Sequence, residues 1–223
     1  MIKINLIVII INQCVINNYS IGGVIMYGIN YETVTLKTNR LVLKKGKKDD
    51  FLKVYEYDFS KLKNIDNENE LKKQDSFKIE KLFKSGNYYK KAKKAHMFDW
   101  IVYLEDHAIA NILTSECEEK EKMVELEFNM HPNYWNNGYM LESLVSVIEY
   151  LFSLGYDEVI CTYLECNVRA KKLLNKLGFK PYMIIEDSFK SPKGNLLDEY
   201  KVIMTKDDWF SKTGKLIKVN GSL

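Results

Sequence analysis

The residues best suited to do chemistry lie between 125 and 179. A strand-like stretch, Glu125-Leu-Glu-Phe-Asn-Met130, leads to the short loop Tyr134-Trp-Asn-Asn-Gly-Tyr139 and an amphipathic helix reaching about Phe152. The first turn of a helix carries N–H groups with no acceptor inside the helix, and the aligned peptide dipoles favour negative charge there. A small, Gly-containing loop that opens such a helix gathers those N–H groups on one spot, which suits a diphosphate. A second strand follows, then Asn167-Val-Arg-Ala-Lys-Lys-Leu-Leu-Asn-Lys-Leu-Gly-Phe179, which reads as the far wall of the same cofactor cleft. In the first strand Val124, Leu126, Phe128 and Met130 alternate with Glu125, Glu127 and Asn129. Period two puts the first set in a core and turns the second toward a polar space.

The elements that must hold this stretch can be read on either side of it. Residues 33–43 are rich in β-branched and apolar side chains and predict one opening strand, ended by Gly46. Asp49 or Asp50 is placed to cap a short helix through Phe51, Leu52, Val54 and Tyr55. Residues 60–80 are polar and charged, with a loop at 64–69 and helix on either side, and Gly86-Asn87 marks another break. Two apolar runs, 98–104 and 108–114, flank Glu105-Asp-His107 and predict a β-hairpin. A charged connector spans 116–122. Leu141, Leu144, Val145, Ile148, Leu151 and Phe152 follow helical spacing, with Gly155 as the stop. Residues 158–163 read as a strand. Ala170, Leu173, Leu174 and Leu177 form a second helical stripe closed by Gly178. The last two strands fall at 179–185 and 197–204. The order predicts an α/β (α+β) fold around one sheet.

With 223 residues, 46% of them hydrophobic, the chain fits one globular domain with a full core, or a domain plus an extension. Its 33 basic and 30 acidic residues leave a net charge of +3, a mixed surface that lends nucleic-acid binding no support. The lysine excess lies at 44–48 and 90–94. Around the second run aromatics and bases interleave, as in a nucleic-acid site, but a solvated helix face has the same pattern and is the reading adopted. The abundance of Lys, Asn and Ile is taken as coding bias. Cys14, Cys117, Cys161 and Cys166 show no Cys-x-x-Cys or zinc spacing and read as reduced thiols. His96, His107 and His131 form no cluster, so neither a metal site nor a Ser-His-Asp hydrolase is indicated. The apolar run 4–11 follows Lys3 as in a signal peptide. It is shorter than the roughly 20 residues that span a bilayer, Asn12, Gln13, Asn17 and Asn18 interrupt it, and no Ala-x-Ala follows. A true start at Met26 ranks first, a weak signal or membrane-surface segment second, and an added strand third.

Four motifs in order carry a resemblance. They are Thr38-Asn-Arg-Leu-Val-Leu43, Pro132-Asn-Tyr-Trp-Asn-Asn-Gly-Tyr-Met-Leu-Glu142, Asn167-Val-Arg-Ala170 through Lys176-Leu-Gly-Phe179, and Asp198-Glu-Tyr200 with Thr205-Lys-Asp-Asp-Trp209. Over 37–209 the chain resembles the GNAT superfamily of acyl-CoA-dependent N-acetyltransferases, most of all the branch of ribosomal-protein N-terminal (alanine) acetyltransferases. The resemblance implies a mixed, mostly antiparallel sheet flanked by helices, with the acyl-CoA cleft between two splayed strands. It implies an acetyltransferase domain over 31–210, an extension over 1–30 and a tail over 211–223. The diphosphate of acetyl-CoA, the co-substrate, would rest on backbone N–H groups of Asn136, Asn137, Gly138, Tyr139 and Met140. Gly138 would admit phosphate where a Cβ interferes. Phe128, Asn129 and Met130 would pair with the pantetheine amides. Asn167 would bond the cofactor or the opposite strand, beside its plain role as a helix N-cap. Lys172 would join the cofactor-binding set. The chain departs from the pattern at Trp135, where Gln or Arg is common, at Met140, which replaces a small residue, at Leu174, where many relatives place a tyrosine acid, and at Ala170, where some place Ser.

The implied chemistry is attack of an amine on a thioester, which needs a neutral amine, a polarised carbonyl and a proton for the thiolate. Glu127 and Glu125 are the candidate bases, acting directly or through water; a solvated strand face accounts for them equally well. Tyr163, Tyr139 and Cys161 are candidate acids, and no metal is implied. The acceptor is a small-molecule or peptide amine: a peptide N-terminus, polyamine, amino sugar or antibiotic, bound by about 50–94 and 189–194. Two rivals stand beside this reading: a non-catalytic acyl-CoA-binding or sensing module, and a membrane-associated protein using 4–11. The expected protein is cytoplasmic, a monomer or homodimer, with no nucleic-acid partner and no stable membrane span.

Overall fold

The computed structural model describes residues 17–21, 24–28, 33–55, 98–118, 122–190 and 194–212. Strands β1 (Asn17–Ile21) and β2 (Val24–Gly28) pair antiparallel as a sheet of their own, with Ile21 opposite Val24. The intervening Gly22-Gly23 is a two-residue hairpin signal that the reading of the N-terminus passed over. The apolar run 4–11 lies outside the described residues.

The main sheet is built from β3 (Leu36–Lys37), β4 (Leu41–Lys45), β5 (Asp99–Leu104), β6 (His107–Glu118), β7 (Met123–Met130), β8 (Glu158–Leu164), β9 (Lys180–Lys190) and β10 (Leu196–Thr205). Their spatial order is β3-β4-β5-β6-β7-β8-β10-β9. Neighbours run antiparallel, except that β7 and β8 are parallel. The helices are α1 (Lys48–Tyr55), α2 (Tyr139–Ser153) and α3 (Val168–Leu177), with a closing helix described over 206–212. A parallel pair needs a crossover connection, and α2 supplies it between β7 and β8.

Three boundaries differ from expectation. The single strand expected over 33–43 is a hairpin. Thr38 closes its turn, donating its N–H to the Leu41 carbonyl at 2.9 Å and accepting the Leu41 N–H on Oγ1 at 3.0 Å. A β-branched residue that reads as a strand former serves here as a turn closer. Residues 116–118 extend β6 rather than forming a connector. Asp49 and Asp50 sit inside the first turn of α1, which already begins at Lys48. The 98–114 hairpin forms as expected, with Glu105 at φ 54° in its turn and His107 paired with Leu104. The elements expected over 60–80 and the break at Gly86-Asn87 lie outside the described residues.

Alternation along the strands divides the core into two layers. On one face Leu144, Val147, Ile148 and Leu151 of α2 and Leu174 and Leu177 of α3 pack with Leu43, Trp100, Val124, Leu126 and Val159. On the other, Phe51 of α1 covers Ile101 and Tyr103. The Tyr103 hydroxyl donates to Asp50 Oδ2 at 2.7 Å, fastening α1 to the sheet.

Glu142, in the first turn of α2, ties the start of that helix to the β3–β4 turn. Its carboxylate accepts from Thr38 Oγ1 at 2.5 Å, from the Arg40 N–H at 3.1 Å and from Arg40 Nε at 2.7 Å. Arg40 Nη1 reaches on to the Asn137 carbonyl at 3.1 Å, and the guanidinium lies 4.5 Å from the centre of the Tyr139 ring. The first and second resemblance motifs are therefore halves of one contact.

Replacing Glu142 with Ala strands several donors at a partly buried point. With a discount for the half-exposed Arg40, the expected cost is about 1–2 kcal/mol. That corresponds to a fall of roughly 2–8 °C in Tm. Glu142→Gln, which keeps one acceptor oxygen, should lose less than half as much by scanning calorimetry. Equal losses would show that the charge, and not the set of acceptors, holds the turn.

Candidate functional site

The parallel pairing of β7 with β8 covers only 123–126 against 158–161. Beyond Leu126 and Cys161 the strands part, although β7 continues to Met130 and β8 to Leu164. Among the described residues, the edge of 127–130 that faces β8 therefore has no strand against it. Backbone N–H and C=O groups on such an edge take water or an extended ligand. Phe128, Asn129 and Met130 stand on this edge, and the chain leaves it directly into the loop.

That loop is braced from within. Trp135 Nε1 donates to the Met130 carbonyl at 2.9 Å, and Asn137 Nδ2 donates to the Trp135 and Tyr134 carbonyls at 2.9 and 3.3 Å. Asn136 and Gly138 both take left-handed backbone, at φ 61° and 77°. Glu142 is the first residue of α2 whose N–H finds a helical acceptor, the Gly138 carbonyl at 3.0 Å. The N–H groups of Asn136, Asn137, Gly138, Tyr139, Met140 and Leu141 meet no acceptor among the described residues, and α2 has no side-chain N-cap. A Cβ at Gly138 would stand 3.6 Å from the Arg40 guanidinium, an ordinary contact. The backbone conformation, rather than crowding inside the protein, calls for glycine here. Six free donors at the positive end of a helix fit a diphosphate.

On the far wall, Asn167 is the N-cap of α3. Its Oδ1 accepts the Ala170 N–H at 3.0 Å, and its own N–H donates to the Leu164 carbonyl at 2.8 Å. Lys172 is exposed on α3. Leu174 is fully buried and Ala170 nearly so, so both positions serve packing. Arg169, which sequence reading missed, lies 4.3 Å from the centre of the Trp135 ring and joins α3 to the loop. Only the fold brings the two together.

The candidate acid and bases stand on opposite faces of the sheet. Glu127 lies opposite Leu113, and Asn129 lies opposite Asn111, which in turn opposes Ile101. Opposed residues share a face, so Glu125, Glu127 and Asn129 look toward the α1 side. Glu125 is engaged there: it accepts from the Thr162 hydroxyl and pairs with Lys201 Nζ at 3.4 Å, its side chain only 14% exposed. Glu127 is exposed, on the part of β7 that has left β8. Tyr163 belongs to the helix-side core and stacks on Tyr200 with centroids 5.6 Å apart. Burial first, and then Tyr200, push its pKa up, so the phenol holds its proton. Burial and then Glu125 push the enclosed Cys161 thiol up as well. Tyr139 is occupied beneath Arg40.

Asn111 is a second residue that sequence reading missed, although a lone amide in the apolar run 108–113 was its signal. It is 2% exposed. Asn111 Oδ1 and Asn129 Nδ2 are both buried without a hydrogen-bond partner. Each such group costs about 1–3 kcal/mol. Among the described residues no His, Cys, Asp and Glu group is arranged to hold a metal, and no helix is long and apolar enough to cross a membrane.

A family profile described as the acetyltransferase (GNAT) domain matches residues 40–180. An uncharacterised N-acetyltransferase, p20 of Bacillus licheniformis, is 26% identical over 117 residues, or 52% of this chain. The match spans 65% of the length of that curated relative. The ribosomal-protein-S5-alanine acetyltransferase of Vibrio fischeri superposes with a TM-score of 0.55 at 17% identity, over 79% of this chain and 98% of its own. Mycobacterium smegmatis RimJ, in complex with CoA-disulfide, superposes with a TM-score of 0.60 at 12% identity, over 78% and 89%. At these identities the likeness is one of fold, and it extends to the mostly antiparallel eight-stranded sheet with helices on both faces. The family match covers more than half of the sequence, and the chain belongs to the GNAT acetyltransferase family.

Proposed function

We propose that the protein transfers an acetyl group from acetyl-CoA to a primary amine by direct attack in a ternary complex. The observation that carries this reading is the continuity of two unsatisfied surfaces: the open edge of 127–130 and the six free N–H groups at the start of α2. The first suits the amides of an extended pantetheine arm and the second suits its diphosphate. An acyl thioester lying in the gap would present one side to each face of the sheet. The amine nitrogen bonds to the carbonyl carbon, the carbon–sulfur bond breaks, one proton leaves the amine and one reaches the thiolate. Glu127 is the base favoured for the first proton, because it is exposed on the part of β7 that lies beside the gap, whereas Glu125 lies below the point of divergence with its side chain only 14% exposed. Tyr163, on the opposite face and on the part of β8 beyond its pairing with β7, is the donor proposed for the second. Holding the reactants together supplies much of the rate in such a reaction, so the buried Leu174 does not by itself argue for a silent binding module. A panel of peptide N-termini, polyamines, amino sugars and antibiotics, read by free CoA release, tests the activity. Acetyl-CoA binding with no turnover on any amine would favour the binding module instead.

Gly138→Glu sets a carboxylate among the donors meant for phosphate and strains a left-handed position. It should abolish acetyl-CoA binding by calorimetry while the circular dichroism spectrum stays native; binding at wild-type strength would move the diphosphate elsewhere.

Glu127→Gln should lower kcat roughly 10²-fold near neutral pH, with recovery as rising pH deprotonates the amine without help. Glu125→Gln should instead lower Tm and leave the shape of the pH profile alone. A pH-independent loss in Glu127→Gln would assign that carboxylate to substrate binding.

A further inference from the structure

Of the motifs that carry the resemblance, Thr205-Lys-Asp-Asp-Trp209 takes no part in the site described above. It opens the closing helix, described over 206–212. That helix touches the far ends of the two helices whose starts line the opening. Lys206 Nζ donates to the Phe152 carbonyl at 3.1 Å, at the end of α2. Lys212 Nζ donates to the Lys176 carbonyl at 3.0 Å, at the end of α3. Between them Trp209, 3% exposed, and Phe210 set their rings 6.4 and 6.3 Å from that of Phe152. Asp208 Oδ1 pairs with Lys180 Nζ at 2.8 Å, at the start of β9. The last carbonyls of a helix have no partner within it and form the negative end of its dipole, so a cation is favoured there. Lys206 and Lys212 supply one to each helix. Gly178 makes room for the second. A Cβ at this position, where φ is 95°, would stand 2.6 Å from Lys212 Nζ and 3.2 Å from its Cδ. The glycine that closes α3 therefore seats Lys212 as well as allowing the left-handed cap.

We propose that Lys206 and Lys212 are positioning residues for the cofactor. By fastening the rear ends of α2 and α3 to one short helix, they set the separation of the front ends. Those front ends carry the diphosphate cradle on one side and Asn167 with Arg169 on the other. The inference rests on the acyl-CoA reading above. α2 has 15 residues and α3 has 10. At the rise of an α-helix they are levers of about 22 and 15 Å, and a tilt of about 5° in α2 moves its start by about 2 Å. At the front the two walls meet through Arg169 and Trp135, and Arg169 is exposed. A cation on a ring at an exposed site is a weak tie. The rear clamp therefore bears on the width of the opening, and a shift of about 1 Å far from the chemistry is enough to be felt there.

Calorimetry with CoA on the full chain reads the clamp without an acceptor. Lys206→Met combined with Lys212→Met keeps unbranched stems and removes both cations. This double variant should bind CoA roughly tenfold more weakly than the wild type, with Tm lower by roughly 2–4 °C. Lys212→Met alone, at an exposed position, should bind roughly threefold more weakly. Lys212→Arg, which keeps the cation, should bind as the wild type does. Tyr103→Phe removes the hydrogen bond that fastens α1 on the other face, so it should lower Tm yet leave CoA affinity unchanged. Wild-type affinity in both methionine variants would overturn the inference alone. Equal weakening in Lys212→Arg and Lys212→Met would overturn it, because the cation would then be irrelevant. Weakening in Tyr103→Phe would also overturn it, because general loosening would then account for the loss. A wild type that does not bind CoA would overturn the acyl-CoA reading and this inference together.

Discussion

A parallel strand pair that stops after four residues is the constraint on which the rest of the molecule depends. β7 and β8 are hydrogen-bonded from Met123 and Glu158 up to Leu126 and Cys161, then part. Had they stayed together to Met130 and Leu164, the edge would be satisfied and the sheet would offer nothing to an extended ligand. Because they are parallel, the chain must cross the sheet between them, and it does so through α2. The crossover places the positive end of that helix next to the opening. Edge and helix terminus are thus produced by one topological choice, and a ligand with amides at one end and phosphates at the other matches both.

An opening of this kind survives only if its walls are held by something other than strand pairing. Glu142 gathers Thr38 and Arg40 against the start of α2, Arg169 lies over Trp135, and Glu125 holds Thr162 and Lys201 below the point of divergence. The last of these closes the base of the gap across β7, β8 and β10. The Glu142 contact is worth about 1–2 kcal/mol, and an exposed ion pair alone is worth less. Their value is geometric, since each ties an element that lines the opening to one that does not.

The sequence made some of this legible. Period-two alternation placed Glu125, Glu127 and Asn129 together, and the helical stripes with their closing glycines located α2 and α3. Asn167 could be read as a cap because its spacing to Ala170 is local. The β3–β4 hairpin was hidden because Thr38 is a β-branched residue whose hydroxyl, not its propensity, makes the turn. The separation of Tyr163 from the two glutamates was hidden for a different reason. Which face a strand residue takes relative to another strand depends on their register, and the register of β7 against β8 is set by a crossover of nearly thirty residues.

The strand order β8-β10-β9 has a consequence for how the chain is made. Synthesis delivers residues 180–190 before 196–205, yet the place of β9 in the sheet is beside β10, not β8. An emerging chain therefore holds a long strand whose lawful neighbour does not yet exist, while the exposed border of β8 invites it to lie down parallel in the wrong slot. β10 must then claim a position between two strands older than itself. Lys201 arrives with it, and only then does Glu125 gain its counter-ion. β10 is the last strand of this sheet to be made, so a polypeptide still on the ribosome can carry α1, α2, α3, the loop and most of the sheet and yet lack the floor of the opening.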